Sequence, residues 1–92
     1  MEADARARLI ERVNKRMKMA DEVLVRAATV DPDEGRRILA QASDDLDELR
    51  YRDGFSVELS SGDEELARLW DELETRKEAL HRRLSALSPT PN

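Results

Sequence analysis

Apolar side chains in this sequence return every three or four positions along three segments, and that spacing limits the fold more than any other feature. A period of 3.6 places them on one face of an α-helix, whereas a strand would need alternation. Over residues 3–29, Leu9, Ile10, Val13, Met17, Ala20, Leu24, Ala27 and Ala28 fall within an arc about 100° wide. Arg8, Arg12, Lys15, Arg16 and Arg26 occupy the opposite face. A second segment, running to about Arg52, carries a narrower stripe of Ile38, Leu39, Ala42, Leu46 and Leu49. The third ends near Leu87 and aligns Leu66, Leu69, Trp70, Leu73, Leu80, Leu84 and Leu87 over a helix of roughly 26 residues, ~39 Å long.

Start and stop signals separate the three. Asp31-Pro32-Asp33-Glu34 offers a capping residue, a proline suited to the first helical position, and a glutamate spaced to close a capping box. Asp53-Gly54 ends the second segment. Ser61 and Glu64 have capping-box spacing and open the third, with acids in its first turn. Between them, Phe55-Ser56-Val57-Glu58-Leu59 alternates apolar and polar. That pattern predicts an extended loop pinning Phe55, Val57 and Leu59 onto the bundle end, with strand pairing to a second subunit as the alternative. A connection of a few residues forces the first two helices into an antiparallel hairpin. The expected fold is therefore all-α: a three-helix antiparallel bundle, helix hairpin plus long third helix, with coiled-coil-like packing. It forms one domain over residues 1–88, followed by a disordered tail over 89–92 that holds two prolines.

Composition agrees. Ala, Leu, Glu, Lys and Arg make up 50 of the 92 residues, the usage of long amphipathic helices. Acids and bases nearly balance and the apolar residues are periodic, which argues against disorder at 40% charged residues. On the first helix, Glu2–Arg6, Asp4–Arg8, Glu11–Lys15 and Glu22–Arg26 have the acid-before-base spacing of i,i+4 pairs, each worth about 0.2–0.5 kcal/mol. Arg outnumbers Lys 13 to 3, a bias expected of a GC-rich bacterial genome.

Several function classes lose ground on the same evidence. The net charge of −5 disfavours wholesale binding of nucleic acid or anionic membranes. No cysteine is present, which removes disulfides and thiolate metal sites and fits a reducing compartment. The acidic start Met1-Glu2-Ala3-Asp4 is not followed by an apolar signal core, and no apolar run approaches the ~18 residues of a membrane span. A cytoplasmic protein is the expectation. Asp31–Gly35 has the flavour of a calcium loop, but its Gly comes one place early and no Glu stands at the twelfth position. His81 is the single histidine, and no triad spacing accompanies it. Asp44, Asp45, Asp47 and Glu48 diverge around the second helix and read as a solvated face. No catalytic residue, cofactor or metal site is expected, and the chain is not expected to be an enzyme.

What remains is binding. Two long helices with few large side chains leave a thin core, so self-association, most simply a twofold dimer, is expected to bury what one chain cannot. The third helix is richest in large side chains, and Leu66, Leu69, Trp70, Leu73, Lys77, Leu80, Leu84 and Leu87 are its candidate interface, centred on Trp70 and Leu73. Trp70 reads foremost as core filler and secondly as an interface anchor. Lys77 interrupts the stripe and is expected to lay its stem over the rim, or else to meet a carboxylate of the acidic second helix. The chain is polarised: residues 1–30 carry +2, 31–62 carry −5 and 63–92 carry −2. The expected function is a small non-enzymatic interaction module: an adaptor, a small chaperone or an accessory subunit of a larger assembly. The alternative is a nucleic-acid-associated regulator using Arg8, Arg12, Lys15 and Arg16.

Overall fold

Asp31 makes the first corner: its carboxylate accepts the backbone N–H of Glu34 at 3.0 Å, and Pro32 begins the helix that follows. The computed structural model describes residues 2–87, which form α1 (Ala3–Ala27), α2 (Pro32–Tyr51), a single turn α3 (Val57–Ser60) and α4 (Glu64–Leu87). About 85% of the described residues are helical, and no strand occurs among them. The tail expected at 89–92 lies outside them.

Cross-helix contacts give the directions. Arg12 meets Asp53 while Arg16 meets Asp45 and Glu48, so α1 and α2 run antiparallel. Lys77 meets Asp47 and the Arg36 guanidinium donates to the Leu87 carbonyl, so α2 and α4 are antiparallel as well. Arg6 meets Asp63 and Asp21 meets Arg76, which makes α1 and α4 parallel. The result is an up-down-up bundle of 49 × 23 × 19 Å, and the expected architecture is present.

The core follows the three stripes. Leu9, Val13, Met17, Ala20 and Ala27 come from α1, Leu39, Ala42, Leu46 and Leu49 from α2, and Leu66, Leu69, Leu73 and Leu80 from α4. Each fully buried leucine is worth roughly 1.5–3 kcal/mol relative to exposure. Phe55 closes one end and receives Trp70 edge-on, with ring centroids 5.4 Å apart and planes at 75°. Gly54 makes that closure possible: at φ 69° it turns the chain left-handed, and the Phe55 N–H then reaches the Leu49 carbonyl at 2.8 Å.

Three local expectations need correction. The 55–59 segment is not extended. The Ser56 hydroxyl accepts the Leu59 N–H at 3.1 Å and the Ser60 hydroxyl donates to the Val57 carbonyl at 3.0 Å, so the backbone coils into α3. Only Phe55 of the three apolar residues is buried, while Val57 is exposed and Leu59 half-buried. Secondly, α4 is capped by Asp63, whose Oδ1 accepts the Leu66 N–H at 3.2 Å, while Ser61 ends α3 instead. Asp63 wins because a carboxylate caps a helix start at least as well as a hydroxyl and also suits its dipole. Thirdly, none of the four i,i+4 pairs expected on α1 forms among the described residues. Arg6 reaches across to α4 instead, because a carboxylate fixed on a neighbouring helix competes well against a mobile one on the same exposed face.

Candidate protein interface

The eight residues singled out on the third helix divide. Leu66, Leu69, Leu73 and Leu80 are buried within the single chain, so they hold the bundle together. Trp70, Lys77, Leu84 and Leu87 stay half-buried at the edge of α4. Trp70 leans on Phe55, and Lys77 places its ammonium 2.8 Å from Asp47, so the rim lysine finds its carboxylate on the second helix after all. Leu87 packs against the start of α2, where a Cβ added to Gly35 would stand 3.0 Å from its Cδ1.

The acidic run of α2 is only partly a solvated face. Asp45 and Glu48 lie 3.4 and 3.5 Å from the Arg16 guanidinium, and Asp47 pairs with Lys77, so α2 is held from both sides. Asp44 alone of the four faces solvent without a partner among the described residues. This arrangement also divides the basic face of α1. Arg12 (2.5 Å from Asp53) and Arg16 are committed to carboxylates, whereas Arg8, Lys15 and Arg26 are exposed and pair with no carboxylate among the described residues.

On the side of the bundle turned away from α4, the seam between α1 and α2 is open. Arg16, Met19, Ala20 and Val23 face Arg37, Ile38, Gln41, Ala42 and Asp45 around an apolar groove of about 170 Å³. Two of its lining residues, Ala20 and Ala42, are buried alanines whose short side chains leave the seam open, and Met19 beside them is 44% exposed. Sequence reasoning missed it, since Met19 and Val23 stand off the main stripe of α1. The available signal was an i,i+4 apolar pair off the stripe of α1, Met19 with Val23, which the edge of the α2 stripe, Ile38 with Ala42, comes to face. At one end of the groove Arg37 pairs with Glu34, its Nε 3.0 Å from the carboxylate. Arg37 first, and Arg26 at longer range, hold the Glu34 carboxyl below its ordinary range.

Elsewhere, two arrangements deserve a chemical reading. The Arg6 guanidinium grips Asp63 through two hydrogen bonds, Nε to Oδ2 at 2.8 Å and Nη2 to Oδ1 at 3.0 Å. That grip, helped by the Leu66 N–H, lowers the Asp63 carboxyl to about 2. Its role is to fasten the start of α4 to α1. The Ser43 hydroxyl and His81 Nε2 are 3.1 Å apart, a separation that also occurs in nucleophile–base pairs. Ser43 is buried, and nothing among the described residues holds the other imidazole nitrogen, so the pair serves to satisfy a hydroxyl between α2 and α4. Among the described residues no three histidine or carboxylate side chains are grouped to hold a metal ion, and no helix is long and apolar enough to cross a membrane.

No protein-family model matches the chain, and comparison with curated proteins and with solved structures likewise yields no match.

Proposed function

We propose that this chain is a small, non-enzymatic protein–protein interaction module of the cytoplasm, an adaptor, small chaperone or accessory subunit that also self-associates. The observation that carries the reading is the α1–α2 groove: an apolar depression with a methionine at its lip, flanked by charged pairs, on a rigid helical frame. Interfaces commonly combine an apolar centre with a polar rim, and methionine adapts its shape to different partners. The edge of α4 formed by Lys77, Leu84 and Leu87 offers a second contact surface, beside Trp70, which is engaged by Phe55. The nucleic-acid alternative has less behind it, because Arg12 and Arg16 are neutralised within the chain.

A photo-crosslinking amino acid placed at position 19, and at exposed Arg68 as a control, tests the reading in cells that make the protein. Discrete crosslinked adducts at 19 and not at 68 are expected. Uncrosslinked monomer at both positions, and at position 84 on the α4 edge, overturns it. Sedimentation over a hundredfold concentration range tests self-association separately, and a single ~10.5 kDa species throughout removes that part.

A further inference from the structure

We infer that the α1–α2 face, groove included, binds a second copy of this chain about a twofold axis parallel to the helices, so that α1 of each copy lies over α2 of the other. The inference rests on the self-association part of the reading above and adds where the copies meet and in what arrangement.

The two lips of the groove carry opposite charge. On α1, Lys15 stands four residues before Met19 and Arg26 seven after it, so both share the outward face that Met19 brings to the groove. Both are exposed, and neither pairs with a carboxylate among the described residues. On α2, Gln41 and Asp45 line the groove, and helical spacing puts Glu34, Asp44 and Glu48 along the same outward row. Asp44 is exposed and has no partner among the described residues. Arg37 is the base in that row, and Glu34 holds it. A basic lip and an acidic lip thus run side by side on one molecule.

A twofold interface lays one patch on an identical patch, so the pattern must complement itself. Two axes bring this face onto itself with the helices aligned. An axis across the helices sets α1 on α1 and α2 on α2, like charge on like. An axis along them sets α1 on α2, basic lip on acidic lip, twice over. That second rotation also keeps every residue at its own level, so the register between copies repeats the register within one chain. Within the chain Arg16 is level with Asp45 and Glu48, and Ala27 with Gly35. Lys15 of one copy therefore comes to Asp44 and Glu48 of the other, and Arg26 to Glu34. Met19 and Val23 fall between these contacts, level with Ala42 and Ile38, and the two apolar slots close on each other.

The chain has no cysteine, so Lys15→Cys and Asp44→Cys, each made alone in the full chain, test the arrangement in a glutathione redox buffer. A disulfide-linked dimer is expected from their equimolar mixture and from neither variant by itself. Sedimentation of the unmodified chain should show a dimer that weakens roughly tenfold in Lys15→Glu, where two exposed pairs per dimer become repulsive. The double variant Lys15→Glu, Asp44→Lys should recover most of that loss. A disulfide in Lys15→Cys alone sets α1 on α1 and overturns the inference. So does a single ~10.5 kDa species over a hundredfold concentration range, or a dimer indifferent to both charge reversals. Adducts with other proteins at position 19 alongside a strictly monomeric chain leave the interaction reading standing and give the groove to a different occupant, so the two fail separately.

Discussion

Helix α2 borders two seams, and they are built differently. Toward α4 it meets Leu69, Leu73 and Leu80, each almost wholly buried, with Lys77–Asp47 and Ser43–His81 bridging the edge. Toward the outer side of α1 it offers Ala42 and Ile38 to Ala20, Val23 and Met19, and the seam stays open. The same helix, with one narrow stripe, thus makes a closed joint on one side and a slot on the other. Side-chain size, more than polarity, separates them: the open seam is lined by two alanines, Ala20 and Ala42, where the closed one is filled by leucines. A closed joint and an open slot can thus share one helix.

The contrast can be broken most directly on the closed side. Leu80→Ala should cost about 2–5 kcal/mol in urea unfolding, since it removes a fully buried side chain from the α2–α4 joint. Trp70→Ala should cost about 3 kcal/mol through the lost Phe55 contact, with the sedimentation coefficient unchanged. Weakened association at unchanged melting temperature would instead assign Trp70 to an interface. Gly54→Ala, which forces an L side chain to φ 69°, should cost about 1–2 kcal/mol and loosen the Phe55 plug, read as altered Trp70 fluorescence.

The ion-pair clasp is tested by acid. The Asp63 carboxyl is lower in the folded chain, about 2 against an ordinary 3.8, so its contribution is fully present above about pH 4 and is lost as pH falls toward 2. Asp63→Asn should flatten that part of a stability–pH curve, measured by circular dichroism at fixed urea; an unchanged slope would show that the clasp is not felt. The smallest stability effect belongs to the open seam. Met19→Glu should shift unfolding by less than about 0.5 kcal/mol, as a surface substitution does, while abolishing crosslinks from a photo-crosslinking amino acid placed across the groove at exposed position 41. A loss as large as that of Leu80→Ala would mean that the groove belongs to the core.

Most of the fold was legible because its signals are local. The stripes of α1, α2 and α4 follow from a helical period that any burying fold must respect, and Asp31-Pro32 marks the first corner through backbone geometry alone. Misreadings cluster where two local rules compete. Phe55–Leu59 alternates like a strand, yet Ser56 and Ser60 each bond the backbone within one turn and coil it. The candidate site was less legible: four leucines expected at an α4 interface lie buried in the single chain, and the groove went unnoticed beside the main stripe.

By itself the sequence determined that this chain forms three long amphipathic helices, where two of them begin, and that the first two must fold back on each other. Periodicity, capping chemistry and loop length act over a few residues, and no tertiary contact is needed to read them. Only the tertiary structure decided which carboxylate each arginine takes. Arg6 has an acid four residues before it on its own helix and takes Asp63, fifty-seven positions away, because packing holds that carboxylate in place. It also decided where the apolar surface fails to close. The gap at Ala20 and Ala42 depends on two helices meeting at one height, and a register between helices is set by all their contacts together.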